Sequence, residues 1–111
     1  MNRGEILKMS AGDEMDVLIG IHVLGMSEDE INKRIDAGLS RSSKYISDAW
    51  EVVEKFDHFE IKRQQSRTGF EITVLLAKFP ADGGNTEKYS GIVKAETVPL
   101  AICRAALLAV I

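Results

Sequence analysis

The two histidines, His22 and His58, and the single cysteine, Cys103, are the side chains best suited to acid–base or nucleophilic chemistry near neutral pH. His58 directly follows Asp57, and Glu60 is close by. A carboxylate that orients an imidazole can make a general base, so this pair is a candidate centre for a small enzyme. An Asp-His step in a turn is equally an ordinary structural pairing, and no nucleophile accompanies it. His22 falls among Leu18, Ile19 and Met26 at helical spacing. That predicts a core histidine held by one hydrogen bond, since no carboxylate or second histidine shares the face. Cys103 adjoins Arg104, but successive helical positions point about 100° apart. The thiol therefore reads as a small buried apolar group rather than an activated nucleophile.

Other chemical patterns fail on spacing. Two isolated histidines lack the arrangement of a zinc or iron site. Glu28, Asp29 and Glu30 are explained by the start of a helix, where negative charge is favoured. Gly83 and Gly84 are followed by no Lys-Ser or Lys-Thr, so they do not form a phosphate loop. No catalytic, cofactor-binding or metal-binding residue is assigned. Arg104 is the more informative position, because an arginine inside an apolar helix must find an acceptor, solvent or a subunit contact.

The elements that position these residues can be read from the period of the apolar pattern. Residues 3–9 can make a short helix, broken by Ser10-Ala11-Gly12. Asp13 is a candidate cap for a second helix. There Met15, Leu18, Ile19, Val23 and Met26 share one face, and Val17, Ile21 and Leu24 lie on roughly the opposite one. A helix apolar on two sides is buried deeply or shared with a partner chain. Gly25 is a stop, and Ser27-Glu28-Asp29-Glu30 reads as a capping box opening a helix that ends at Gly38. Residues 38–44 form a polar linker expected to be mobile. Ser42 or Ser43 then opens a helix with an apolar stripe of Tyr45, Ile46, Ala49, Trp50, Val53 and Phe56, in which Trp50 is the expected core anchor.

From Phe59 the period changes to two. Phe59 and Ile61 begin one strand, Ser66-Arg67-Thr68-Gly69 makes a hairpin turn, and Phe70, Ile72, Val74 and Leu76 define one face of the next strand. The other face of that strand starts polar and ends apolar, with Leu75 and Ala77, which predicts cover on both faces. Pro80 to Lys88 is a loop by composition, and Ser90 to Glu96 reads as a third strand. Thr97 caps a last helix with Pro99 in its first turn, apolar almost all the way round. The expected fold is α+β, with the order α-α-α-β-β-β-α. An antiparallel three-stranded sheet carries helices on both faces, an α-β-α sandwich, in a single domain spanning residues 1–111.

Composition limits the function classes. The chain has 111 residues, 45% hydrophobic and 28% charged, as one globular domain would. The net charge of -3 supplies no field for non-specific nucleic-acid binding. Lys62, Arg63 and Arg67, or Lys33, Arg34, Arg41 and Lys44, form local basic runs that read as solvated surface charge. A single cysteine excludes an internal disulfide, and neither a secretory leader nor a membrane-length apolar run is apparent. A cytoplasmic location in a bacterial host cell is expected.

Four stretches taken together resemble a known family. They are Glu5-Ile6-Leu7-Lys8-Met9, Glu14-Met15-Asp16-Val17-Leu18-Ile19, Asp48-Ala49-Trp50-Glu51-Val52-Val53-Glu54-Lys55-Phe56, and Ala95-Glu96-Thr97-Val98-Pro99-Leu100-Ala101-Ile102-Cys103-Arg104-Ala105-Ala106-Leu107-Leu108. The chain resembles the phage ABA sandwich domain, a family of small bacteriophage and prophage proteins. The resemblance implies helix and sheet layers. It carries over no catalytic residue and no cofactor. Met26 to Ser43 departs from the family pattern, with a capped helix where a tryptophan and a longer polar loop are expected.

Three functions compete. The first is a non-catalytic interaction module that self-associates, expected as a homodimer, with a host or phage protein as another possible partner. Its candidate interface residues are Val17, Ile21, Leu24, Arg104, Leu108 and Ile111, the apolar perimeter of two helices and its one charge. The second is a module that binds double-stranded RNA, from the α-β-β-β-α order after residue 43. Against it, Thr97-Val98-Pro99-Leu100 stands where phosphate-contacting lysines would be needed. The third is the enzyme built on His58 and Asp57.

Overall fold

The computed structural model describes residues 2–78 and 88–111. Four helices come first: α1 (Arg3–Lys8), α2 (Asp13–His22), α3 (Glu28–Asp36) and α4 (Ile46–Val53). The strands β1 (His58–Ser66), β2 (Gly69–Lys78), β3 (Lys88–Tyr89) and β4 (Val93–Ala95) follow, and α5 (Val98–Val110) closes the chain. The α+β class, the antiparallel sheet and the succession of helices, strands and closing helix agree with the sequence reading. The loop expected over Pro80 to Lys88 falls largely outside the described residues.

β2 is the central strand. β1 runs antiparallel to it from His58↔Ala77 to Ser66↔Gly69, joined by a two-residue turn. On its other side β2 pairs with β3 (Ala77↔Tyr89) and with β4 (Val74↔Val93). The expected third strand is thus broken into two short pieces. The break is chemical as well as geometric. The Ser90 amide donates to the Leu76 carbonyl (2.9 Å), and the Leu76 amide donates to Ser90 Oγ (2.9 Å) rather than to a backbone carbonyl. Gly91 then takes a positive φ of 72°, a conformation that costs a glycine little.

α5 is the hub. It packs on β2 and β4, and also against α1, α2 and α4, while α3 packs on α2. Every residue from Leu100 to Leu107 is buried. Arg104 apart, these residues join Ile6, Met15, Ile19, Val52, Val74, Leu76 and Val93 in one core cluster. Thr97 caps the helix as expected, its hydroxyl accepting from the Leu100 amide at 3.3 Å. On one face of the sheet Val74 and Leu76 belong to the core, with Ile61 and Ile72 packed against it. Glu60, Lys62, Gln64, Glu71, Thr73 and Lys94 line a shallow groove of about 290 Å³ on the opposite face.

The caps of α3 follow the sequence closely. Ser27 Oγ accepts from the Glu30 amide at 3.2 Å, although the Glu30 carboxylate reaches back to the Ser27 hydroxyl rather than to its amide. At the other end the Gly38 amide donates to Ile35 and the Leu39 amide to Arg34, with Gly38 at φ 82°. That is the double closure a glycine makes possible after a helix. α2 differs from expectation. Asp13 is its first helical residue, and Gly12 precedes it without a side-chain cap. The Gly12 amide is satisfied instead by Ser43 Oγ at 3.0 Å, from a residue far along the chain.

Candidate interaction surface

Several side chains expected in the core lie at the surface beside α4. The buried face of this helix is Ala49, Val52 and Val53, with Phe56 beyond it. Trp50 follows Ala49 by 100° and so leaves that face; it is 45% exposed, with Ile46 at 52% and Tyr45 at 51%. The expected anchor is therefore a surface residue, because smaller side chains fill the space above α5. Trp50 meets Phe59 of β1 edge to face, with ring centroids 5.6 Å apart at 72°. Ile46, Ser47, Trp50, Ile61, Val98 and Pro99 line an open, mostly apolar groove of about 850 Å³ between α4, β1 and the start of α5. Further along the same sheet face, the Arg63 guanidinium lies 3.8 Å from the centroid of the Phe70 ring.

The residues singled out for chemistry are dispersed. His22 ends α2 and is exposed, so the expected core histidine is corrected. Its place on the inner side falls to Val23, which packs against the core as the chain turns through Gly25 at φ 74°. His58 and Asp57 stand exposed at the start of β1, away from Cys103 in the buried helix. Among the described residues, no group of three or more His, Cys, Asp or Glu side chains could hold a metal ion.

Cys103 is fully buried. Burial, and secondarily the charge of Asp16, push its thiol well above the ordinary range. It is held as a protonated thiol with little nucleophilic character. Native protein should therefore label with a thiol reagent only as fast as the chain opens, and the rate should rise on adding urea through the unfolding transition. Rapid labelling without denaturant would contradict this placement.

Asp16 and the 38–44 segment were missed as structural centres. The expected mobile linker is a packed polar knot. Ser40, Ser42 and Ser43 are all buried. The Arg34 Nε donates to Ser40 Oγ (2.9 Å), the Arg41 amide donates to Asp48 Oδ2 (3.1 Å), and the Ser43 amide donates to Asp16 Oδ1 (2.8 Å). Short hydroxyl side chains satisfy backbone groups locally, so a segment that looks loose by composition can be well bonded. Asp16 Oδ2 is buried with no hydrogen-bond partner among the described residues.

Burial raises the Asp16 carboxyl above its ordinary 3.8; Ser43 pulls it down, Asp13 pushes it up and Lys44 lowers it. The folded chain thus holds this proton more tightly than the unfolded chain. The stabilisation is complete below pH 3.8 and is lost as pH rises to the folded value. Asp16→Asn keeps an acceptor for the Ser43 amide and removes the charge. Its stability relative to wild type, read from urea melts, should increase from pH 4 to pH 7. A relative loss over that interval would show that the charge is favoured in the fold.

The sequence-derived interface candidates are found in different settings. Arg104 is buried and bonded within the chain. Leu24 and Leu108 are half-buried against the core, Val17 and Ile21 are half-buried outside that cluster, and Ile111 is 51% exposed. None of them lines the groove beside Trp50. Among the described residues, no helix is long and apolar enough to cross a membrane.

No curated protein and no solved structure matches the chain at a significant level. The family model of the Phage ABA sandwich domain matches residues 18–107, which takes in every element from the second half of α2 to most of α5. The chain belongs to the Phage ABA sandwich domain family.

Proposed function

We propose that this protein is a non-catalytic interaction module of phage or prophage origin, acting in the host cytoplasm, that associates with a second copy of itself. The observation that carries this reading is the exposed apolar surface of Ile46, Trp50 and Phe59 beside the groove. A tryptophan left half in water next to other apolar side chains gains by desolvation when a partner covers it. Large aromatic residues in such settings are also where binding energy concentrates. The dispersal of His22, His58 and Cys103 supports a binding role over a catalytic one.

Sedimentation equilibrium of the intact chain tests the reading. Wild type is expected to form dimers at micromolar concentration. Trp50→Ala, at a position outside the packed core, is expected to keep the melting temperature within a few degrees and to weaken association roughly tenfold. A wild-type chain that stays monomeric at high micromolar concentration would refute self-association.

A further inference from the structure

Among the described residues β1 pairs with β2 alone, and its outer side, nine residues long, pairs with none of them. The register fixes which groups lie along it. A two-residue turn makes Ser66↔Gly69 a hydrogen-bonded pair, so the peptide groups of residues 64, 62, 60 and 58 point toward β2. Those of Phe59, Ile61, Arg63 and Gln65 point outward. These residues also place their side chains on the sheet face that holds the apolar groove, while Glu60 and Lys62 lie on the other face.

We infer that two copies of the chain join edge to edge through β1, antiparallel, about a two-fold axis at Ile61. This rests on the self-association proposed above and names its geometry. Charge complementarity selects the register. With the axis at Ile61, Glu60 of each copy lies opposite Lys62 of the other, so two opposite-charge pairs form on one face. On the other face Phe59 lies opposite Arg63, whose guanidinium already stacks on Phe70. A row of ring, cation and ring then runs across the junction. Moving the axis to Lys62 keeps the same peptide groups outward but sets that lysine against itself. Moving it to Arg63 sets arginine against arginine. Like charges directly opposite each other destabilise a strand pair, and opposite charges favour it. Centred on Ile61, the two apolar grooves meet side by side, since Ile61 lines each of them.

Exposed residues carry this register, so it can be tested without disturbing the core. Sedimentation equilibrium is measured for wild type, Glu60→Lys, Lys62→Glu and an equimolar mixture of the two variants, with thermal melts to confirm folding. Each variant alone places like charges opposite each other twice, and its association is expected to weaken at least tenfold. The mixture restores opposite charges at both contacts in a mixed pair, and association is expected to return to the wild-type level. Glu28→Lys mixed with Lys33→Glu, both on α3, controls for net charge and is expected to change nothing. Dimers of wild-type strength from either single edge variant, or no recovery in their mixture, would overturn the edge register and leave self-association standing. A monomeric wild type would remove both.

Discussion

Arg104→Ala is expected to lower the stability of the chain by roughly 3 kcal/mol, the cost of stripping charged hydrogen bonds from a buried site. The Arg104 Nε and Nη2 donate to the Met9 carbonyl at 3.2 and 2.9 Å, and Nη1 donates to the Lys94 carbonyl at 3.2 Å. Met9 closes α1, and Lys94 lies in β4. One guanidinium therefore ties the first helix to the last strand through the last helix. Without it, two carbonyls lose their donor in a place that water reaches poorly. A domain of this length shifts by about 5 °C per kcal/mol, so the melting temperature should fall on the order of 15 °C. Arg104→Lys should lose about half as much, because a point-like ammonium cannot serve both carbonyls at once. An alanine variant that melts within about 3 °C of wild type would show that these bonds contribute little.

The second large effect is expected at Gly20, buried in the last turn of α2. A Cβ built there would lie 2.4 Å from Ile31 Cγ1, 2.5 Å from Cδ1 and 2.8 Å from Cβ. The outer atoms of Ile31 could rotate away, but its Cβ is fixed to the backbone of α3. Any side chain at position 20 must therefore push the two helices apart. Replacing glycine by alanine gains about 1 kcal/mol of helix propensity, which offsets part of an overpacking cost of roughly 1–3 kcal/mol. Gly20→Val has no such gain of note and adds two methyl groups, so a loss of about 3 kcal/mol is expected. Urea melts of Gly20→Val, Ile31→Ala and the double variant would measure it. The double variant should be more stable than the summed single losses predict, since removing the Ile31 branch opens the space that valine needs. Strict additivity would mean that the two positions do not meet.

Much of the fold was legible because it rests on local signals. The alternation of Phe70, Ile72, Val74 and Leu76, the Thr97 cap with Pro99 behind it, and the glycine stop at 38 each act within a few residues. What could not be read depends on which element fills a space first. Trp50 belongs to a stripe that looks wholly apolar, yet Ala49, Val52 and Val53 already meet α5 and leave the indole outside. His22 sits at helical spacing from buried residues, but α2 stops there and Val23 takes the inward position. The serines at 40, 42 and 43 look like a loose connection, and the bonds of Ser43 to Asp16 and Gly12 lie with residues that only the fold brings near. The candidate surface was hidden for the same reason. Its tryptophan was assigned to the interior, so the groove beside it had no sequence signal.

The broken third strand bears on how such molecules can assemble. Ser90 uses its hydroxyl and amide on Leu76, and Gly91 turns the chain, so this margin of the sheet offers two short fragments instead of a continuous ladder of free peptide groups. A protein with ladders open at both margins can add copies without limit and grow into a fibre. One margin left open and the other interrupted permits a pair and then stops.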